Sequence, residues 1–181
     1  KEIVCANIMR GVEKIEAKTF VNCNLLSQVS IPETVTMIGE YPFVGCKNLT
    51  RFTVAPQNPV FYTDEHGVLF YKPNHSNIVL VRAPIALCGV YRIPDGVTHI
   101  AGGAFESCAG LMEVIGPPSV RGIGKWAFID CADLLRLTLP TGNASFSARI
   151  TEKCPKLTVY APADSWSEKY AKQYNIPFQA E

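Results

Sequence analysis

At 181 residues, 48% of them hydrophobic, the chain has enough apolar material for one ordered domain with a continuous core, so disorder is not the default. Seventeen Lys and Arg balance sixteen Asp and Glu to a formal net charge of +1, with no run of basic residues, so the electrostatic footprint of a nucleic-acid binder is missing. No apolar stretch approaches the roughly 20 residues that span a bilayer, so membrane insertion is not expected.

The first residue is Lys1, with no initiator Met, apolar h-region or small-residue cleavage site. A targeting signal is therefore expected to lie outside this stretch or to have been removed. Residues 1–11 lack the phase of the residues C-terminal to them and read as an edge or a cut repeat.

From residue 12 to 54 the chain is organised in blocks of 23 residues. Phe20, Cys23, Leu26, Val29 and Ile31 return as Phe43, Cys46, Leu49, Phe52 and Val54. Such a period describes a solenoid coil, not an active site. Val29 and Ile31 alternate with Ser30 at the period of a strand, and Pro32 then removes a ladder donor and ends it. Val35 and Ile38 carry a second inward pair, matched by Val12 and Ile15, so each coil has two short strand-like faces. Between them, residues 41–48 and their equivalents 103–109 and 126–132 open with the large Phe and are expected to form one helical or 3₁₀ turn.

The interval from Phe43 to Phe105 is 62 residues, 16 more than two periods, and so contains an insertion, assigned to 55–90. Gly67 suits a turn before the β-rich run 68–71. Residues 72–77 read as a polar turn and 78–81 as the returning strand. Coils resume over 91–162: Phe105, Cys108, Leu111 and Val114 return as Phe128, Cys131, Leu134, Leu137 and Leu139. The last coil, through Asn143, Phe146, Thr151 and Cys154, departs from the pattern and reads as irregular or capping. In 163–181, Ser165 and Glu168 have capping-box spacing. Trp166, Tyr170 and Tyr174 fall on one helical stripe that Asn175 and Pro177 stop. That helix reads as a cap over the open end of the core.

Cys23, Cys46, Cys108, Cys131 and Cys154 share one phase, and the total of seven cysteines is odd, so they read as a buried line of reduced thiols and not as a disulfide framework. No C-x-x-C or H-x-x-x-H pair points to zinc, and no other metal or cofactor is implied. Residues 122–125, Gly-Ile-Gly-Lys, lack the spacing of a phosphate loop and simply repeat Ile38-Gly39. Asp64, Glu65 and His66 read as a solvated acidic turn, with His75 in the same insertion and His99 in an outward slot. Asn-x-Ser/Thr triplets at Asn48, Asn74 and Asn143 are glycan acceptors only in a eukaryotic secretory pathway. No nucleophile elbow occurs, and an enzyme is the least favoured class.

The phased residues Phe20-x-x-Cys23-x-x-Leu26-x-x-Val29-x-Ile31-Pro32-x-x-Val35-x-x-Ile38-Gly39 resemble the BspA-type leucine-rich repeat of bacterial surface proteins and mucosal protozoa. The run Asn58-Pro59-Val60-Phe61, followed by residues 64–70, also resembles a family segment in which a hairpin interrupts the solenoid. The fold expected is a β-rich, right-handed solenoid of 23-residue coils with a β-hairpin insertion and a C-terminal capping helix. The resemblance implies a monomeric, non-catalytic, adhesion-type module, secreted or on the cell surface, that binds a host or extracellular-matrix protein. The candidate binding face is the outward side of the first strand ladder: Gln28 and Ser30, Arg51 and Thr53, Glu113, Arg136 and Thr138, and Thr158 with Tyr160. Its ordinary reading is a solvated sheet face. Arg51 and Arg136 share a phase and are expected to point the same way, with the insertion either between them or over them. A structural spacer that displays another domain is the alternative.

Overall fold

The computed structural model describes residues 2–74, 76–139 and 145–181, with the side chains of 145 and 146 outside the description. His75 and Asn143 therefore lie outside the described residues. The alternating segments form short strands in chain order: β1 (Cys5–Asn7), β2 (Lys14–Ile15), β3 (Gln28–Ile31), β4 (Met37–Ile38), β5 (Arg51–Val54), β6 (Phe61–Thr63), β7 (Leu69–Asn74) and β8 (Asn77–Arg82). There follow β9 (Gly89–Arg92), β10 (His99–Ile100), β11 (Leu111–Ile115), β12 (Gly122–Ile123), β13 (Arg136–Thr138), β14 (Ser145–Phe146), β15 (Thr158–Ala161), helix α1 (Trp166–Gln173) and β16 (Phe178–Ala180).

The pairing reproduces the period. Gln28 lies beside Arg51 and Glu113 beside Arg136 in parallel ladders, and Lys14 beside Met37 in the second strand set. The result is a β-solenoid with two strand stacks. The first consists of the sheets β1-β3-β5 and β9-β11-β13-β15-β16. The second consists of β2-β4 and of a six-stranded sheet ordered β6-β7-β8-β10-β12-β14. Although residues 1–11 show no repeat phase, Cys5 pairs with Gln28 and Asn7 with Ser30, so their backbone is in register with the coils.

The turn between the strand sets differs from the helical turn expected. Each such turn carries two left-handed residues four apart: Lys18 and Asn22, Tyr41 and Gly45, Gly103 and Ser107, Trp126 and Asp130, Arg149 and Lys153. A helix would close its N–H groups on carbonyls of its own coil. The left-handed residues instead turn alternate N–H groups towards the next coil, while those between, such as Val21 on Lys18 and Cys23 on Phe20, close three residues back as in a 3₁₀ turn. Phe20 N–H donates to the Pro42 carbonyl at 3.0 Å, Phe105 N–H to Ala127 at 2.7 Å and Phe128 N–H to Ile150 at 2.9 Å. The buried backbone is thus satisfied by stacking. The coils also approach too closely for a side chain at some positions: a Cβ on Gly124 would sit 2.3 Å from the Gly102 nitrogen.

Inside the stack the repeated positions touch their equivalents. Phe20 stacks on Phe43 at 5.5 Å and Phe105 on Phe128 at 5.0 Å. Cys23, Cys46, Cys108 and Cys131 are fully buried, Cys154 is partly so, and all seven cysteines are free thiols. The buried line is there, and it carries polar bonds as well. The thiols of Cys46, Cys131 and Cys154 donate to the carbonyls of Phe20, Phe105 and Phe128 in the preceding coil at 3.0, 3.1 and 2.9 Å. Each buried Val, Leu, Ile or Phe of such a core contributes roughly 1.5–3 kcal/mol.

The insertion is a three-stranded antiparallel meander, β6-β7-β8, whose last strand joins the solenoid by pairing in parallel with β10. The strands run closer to the tip than expected, to Asn74 and from Asn77. Its side chains serve two cores. Leu69 and Val81 pack with Ile15, Phe43 and Phe52, whereas Val68, Phe70 and Leu80 pack with Tyr91, Phe105 and Phe128. No strand ladder joins β5 to β9 or β4 to β8 among the described residues.

A buried ion pair bridges this seam. Arg82 lies 3.2 Å from the Glu106 carboxylate and donates to the carbonyls of Gly103 and Glu106. The same carboxylate accepts the Gly45 N–H at 2.8 Å. In regular coils the corresponding N–H groups, such as that of Asn22, reach a backbone carbonyl of the next coil. Here the hairpin replaces that turn and Glu106 supplies the acceptor.

At the C-terminus Ser165 caps α1 by accepting the Glu168 N–H at 3.2 Å. The Glu168 carboxylate takes the N–H of Asp164 and not that of Ser165, one residue off the expected box. Trp166, Tyr170 and Tyr174 form a continuous ring stack, and buried Tyr170 bonds Thr151 through its hydroxyl. The helix therefore packs on the end of the core. Beyond it, β16 adds a strand to β15, a pairing that the repeat pattern does not predict.

Candidate protein-binding face

The outward positions of the first strand stack form two strips and not one. On the three-stranded sheet, Cys5, Gln28 and Arg51 make one row and Asn7, Ser30 and Thr53 the next. Arg51 and Thr53 are exposed, Gln28 and Ser30 half-buried, and the Gln28 amide donates to the Thr53 hydroxyl at 3.5 Å. On the five-stranded sheet, Val90, Glu113, Arg136 and Thr158 form a row beside Arg92, Ile115, Thr138, Tyr160 and Gln179. The insertion lies between the strips in the chain, while its own strands belong to the second stack.

The second strip is highly organised. Arg136 sits 3.2 Å from Glu113, pairs with Glu181, donates to Thr138 at 3.3 Å and lies 3.9 Å over the Tyr160 ring. The guanidinium is thereby held flat against the sheet, a preorganised arrangement that loses little side-chain entropy on contact. Arg51, on the other sheet, is an exposed residue at the strand position beside Gln28.

Beside the charged row, the structure exposes large apolar side chains: Val90 at 55%, Met112 at 49% and Leu135 at 49%. Met112 lies between the inward Leu111 and Val114, where the register of β11 against β9 shifts, and Leu135 holds the same place between the inward Leu134 and Leu137. Strict alternation counted back from Val114 and Leu137 would turn these positions inward, so Met112 and Leu135 are absent from the face expected on sequence grounds. The one legible signal is that both directly follow the inward Leu of their coils.

Of the residues weighed for chemistry in the insertion, Asp64 is engaged structurally, whereas Glu65 and His66 are exposed. Asp64 accepts the N–H groups of His66 and Val68 through one oxygen and the Tyr91 hydroxyl, at 2.6 Å, through the other. Burial and this contact push the Tyr91 phenol up. Burial likewise pushes the Cys46 thiol up to about 11 and the Cys108 thiol up to about 12, so both are protonated at neutral pH. His99 contacts Thr98 on the rim of a cleft of about 540 Å³ shared with Tyr41, Tyr71 and Gly102. Among the described residues, no group of three or more His, Cys, Asp or Glu is placed to hold a metal ion. Nor is any helix long and apolar enough to cross a membrane. Asn48 uses its amide on the Asn24 carbonyl, and Asn74 accepts the Ser76 N–H.

The sequence matches the BspA type leucine rich repeat region in six copies over residues 2–79 and 90–167. The chain belongs to that family. Solved structures agree in fold. The pneumococcal vaccine antigen PcpA superimposes with a TM-score of 0.68 at 20% identity, over 83% of this chain and 42% of that one. A leucine rich cell surface protein from Faecalibacterium prausnitzii gives 0.67 at 21% identity, over 98% and 59%. A leucine-rich repeat protein from Eubacterium ventriosum gives 0.60 at 18% identity, over 87% and 48%. This BspA-type chain thus spans about half the length of the structures it resembles. No curated protein matches it significantly.

Proposed function

We propose that this BspA-type domain is a non-catalytic protein-binding module of a bacterial surface or secreted protein, and that it engages its partner through the outer face of the five-stranded sheet. The observation that carries this reading is the juxtaposition of exposed Val90, Met112 and Leu135 with the fixed Glu113, Arg136 and Tyr160. Apolar side chains that leave water on contact, next to an Arg and a Tyr already held in place, are the ingredients of an interface with concentrated binding energy. Support for a surface setting comes from the relatives, one a vaccine antigen and another a cell surface protein.

The test is capture by immobilised extracellular-matrix proteins, comparing the wild type with a Met112→Asp, Leu135→Asp double variant and with Arg51→Ala on the other sheet. Binding lost by the folded double variant and kept by Arg51→Ala is the expected result. Binding that survives in the double variant moves the site off this sheet. No binding by the wild type favours a spacer that displays another domain.

A further inference from the structure

The five ladder cysteines are not equivalent. Cys23, Cys46, Cys108 and Cys131 are sealed in the core, whereas Cys154 opens into a cleft of about 390 Å³ walled by Thr151, Lys153, Pro155, Leu157, Tyr174 and Ile176. The irregular last coil makes this opening. Cys154 occupies the same place in its coil as Cys131 in the preceding one, and the coils are tied here by the Asp130 N–H on the Glu152 carbonyl at 3.0 Å and by the Cys154 thiol on the Phe128 carbonyl at 2.9 Å. Coils stacked at about 4.8 Å place equivalent Cα atoms inside the window of about 4.4–6.8 Å that a disulfide needs.

We propose that Cys154 is a peroxide-sensitive modification site and that Cys131 is its resolving partner, so that oxidation ties the last two coils together by a disulfide. The Cys154 sulfur attacks one oxygen of a hydroperoxide. The O–O bond breaks, hydroxide or alkoxide leaves and takes up the proton the thiol gave up, and Cys154 becomes a sulfenic acid, oxidised by two electrons while the peroxide is reduced to water or an alcohol. The Cys131 sulfur then attacks the sulfenic sulfur. An S–S bond forms, the S–O bond breaks, and the Cys131 proton leaves with the hydroxyl as water.

The order of ionisation agrees with these roles. The neighbouring Cys131 holds the Cys154 thiol below its usual range, against the opposing effects of burial and of Asp130. Hydrogen bonding to Cys154 and burial push Cys131 up, so the proton stays on the inner partner. A thiol that is both accessible and the first of its pair to ionise is the one an oxidant meets.

The experiment uses the full chain with the two exposed cysteines removed, Cys5→Ser and Cys88→Ser, treated with hydrogen peroxide under native conditions, then alkylated, digested and weighed. The expected product is a Cys131–Cys154 linked peptide pair, two hydrogens lighter than the reduced peptides and split by a dithiol. Adding Cys131→Ser leaves Cys154 as a sulfenic acid trapped by dimedone, and adding Cys154→Ser abolishes the linkage. The proposal is overturned if Cys154 stays reduced. It is equally overturned if Cys154 passes to the sulfinic acid with Cys131 present, or if the first disulfide joins other ladder cysteines.

Discussion

Phe105→Ala lowers the stability of the domain by about 3–5 kcal/mol, the range for deleting a buried phenyl ring and leaving a partly relaxed cavity. Phe105 is wholly buried, stacks face to face on Phe128 at 5.0 Å and meets Tyr91 at 5.9 Å. Its own N–H crosses to the next coil, so the ring and the backbone around it define the same stacking contact. Urea unfolding measures the change, with Thr138→Ala on the outer face as the control at within about 0.5 kcal/mol. An unfolding midpoint for Phe105→Ala equal to that of the wild type would show that the Phe position does not space the coils.

Arg82→Ala is expected to cost about 3–5 kcal/mol as well, for a different reason. Removing one partner of a buried pair leaves an uncompensated charge, which costs more than the pair itself contributed. The Arg82 side chain is 2% exposed and Glu106 10%, so little water reaches the carboxylate that remains. Arg82→Met with Glu106→Leu removes both charges and recovers part of the loss, but not all, because the Gly45 N–H also loses its acceptor. Thermal unfolding of the three variants decides between these effects. If the double variant is no more stable than Arg82→Ala, packing and not charge governs the seam.

Phe105 and Arg82 mark the two sides of what is legible in the chain. Phe105 is readable because stacking forces one residue type into each inward slot, and repetition over coils converts that constraint into a visible period. The Arg82–Glu106 pair is not, since it forms once, where a hairpin interrupts the repeat, between residues with no shared phase. The left-handed backbone at Tyr41 and Trp126 is hidden for a related reason: residue types that disfavour that conformation occupy it, and only the coil-to-coil hydrogen bonds require it. β1 carries no inward Leu or Phe, and β16 sets Phe178 beside the inward Val159 at a spacing shorter than the repeat, so the period shows neither pairing and each follows from the open sheet edge beside it. In the candidate face, Arg136 and Tyr160 are legible as outward residues of adjacent strands. Their mutual stacking and the ion pairs of Arg136 come from register, which a period does not reveal, whereas the exposure of Met112 follows from the two-residue gap between the inward Leu111 and Val114 of its coil.

The claim that contacts between coils, and not local segments, hold the chain together is tested most directly by native-state amide hydrogen exchange resolved to single residues. The slowest amides are expected to be those donating across coils in the strands and in the turns between the strand stacks: Val29, Val114 and Leu137 in the strands, and Phe105 and Phe128 in the turns, all exchanging at the rate of global unfolding. Slow exchange confined to α1 and the β7–β8 hairpin, with the amides of Phe105 and Phe128 exchanging freely, would contradict the account.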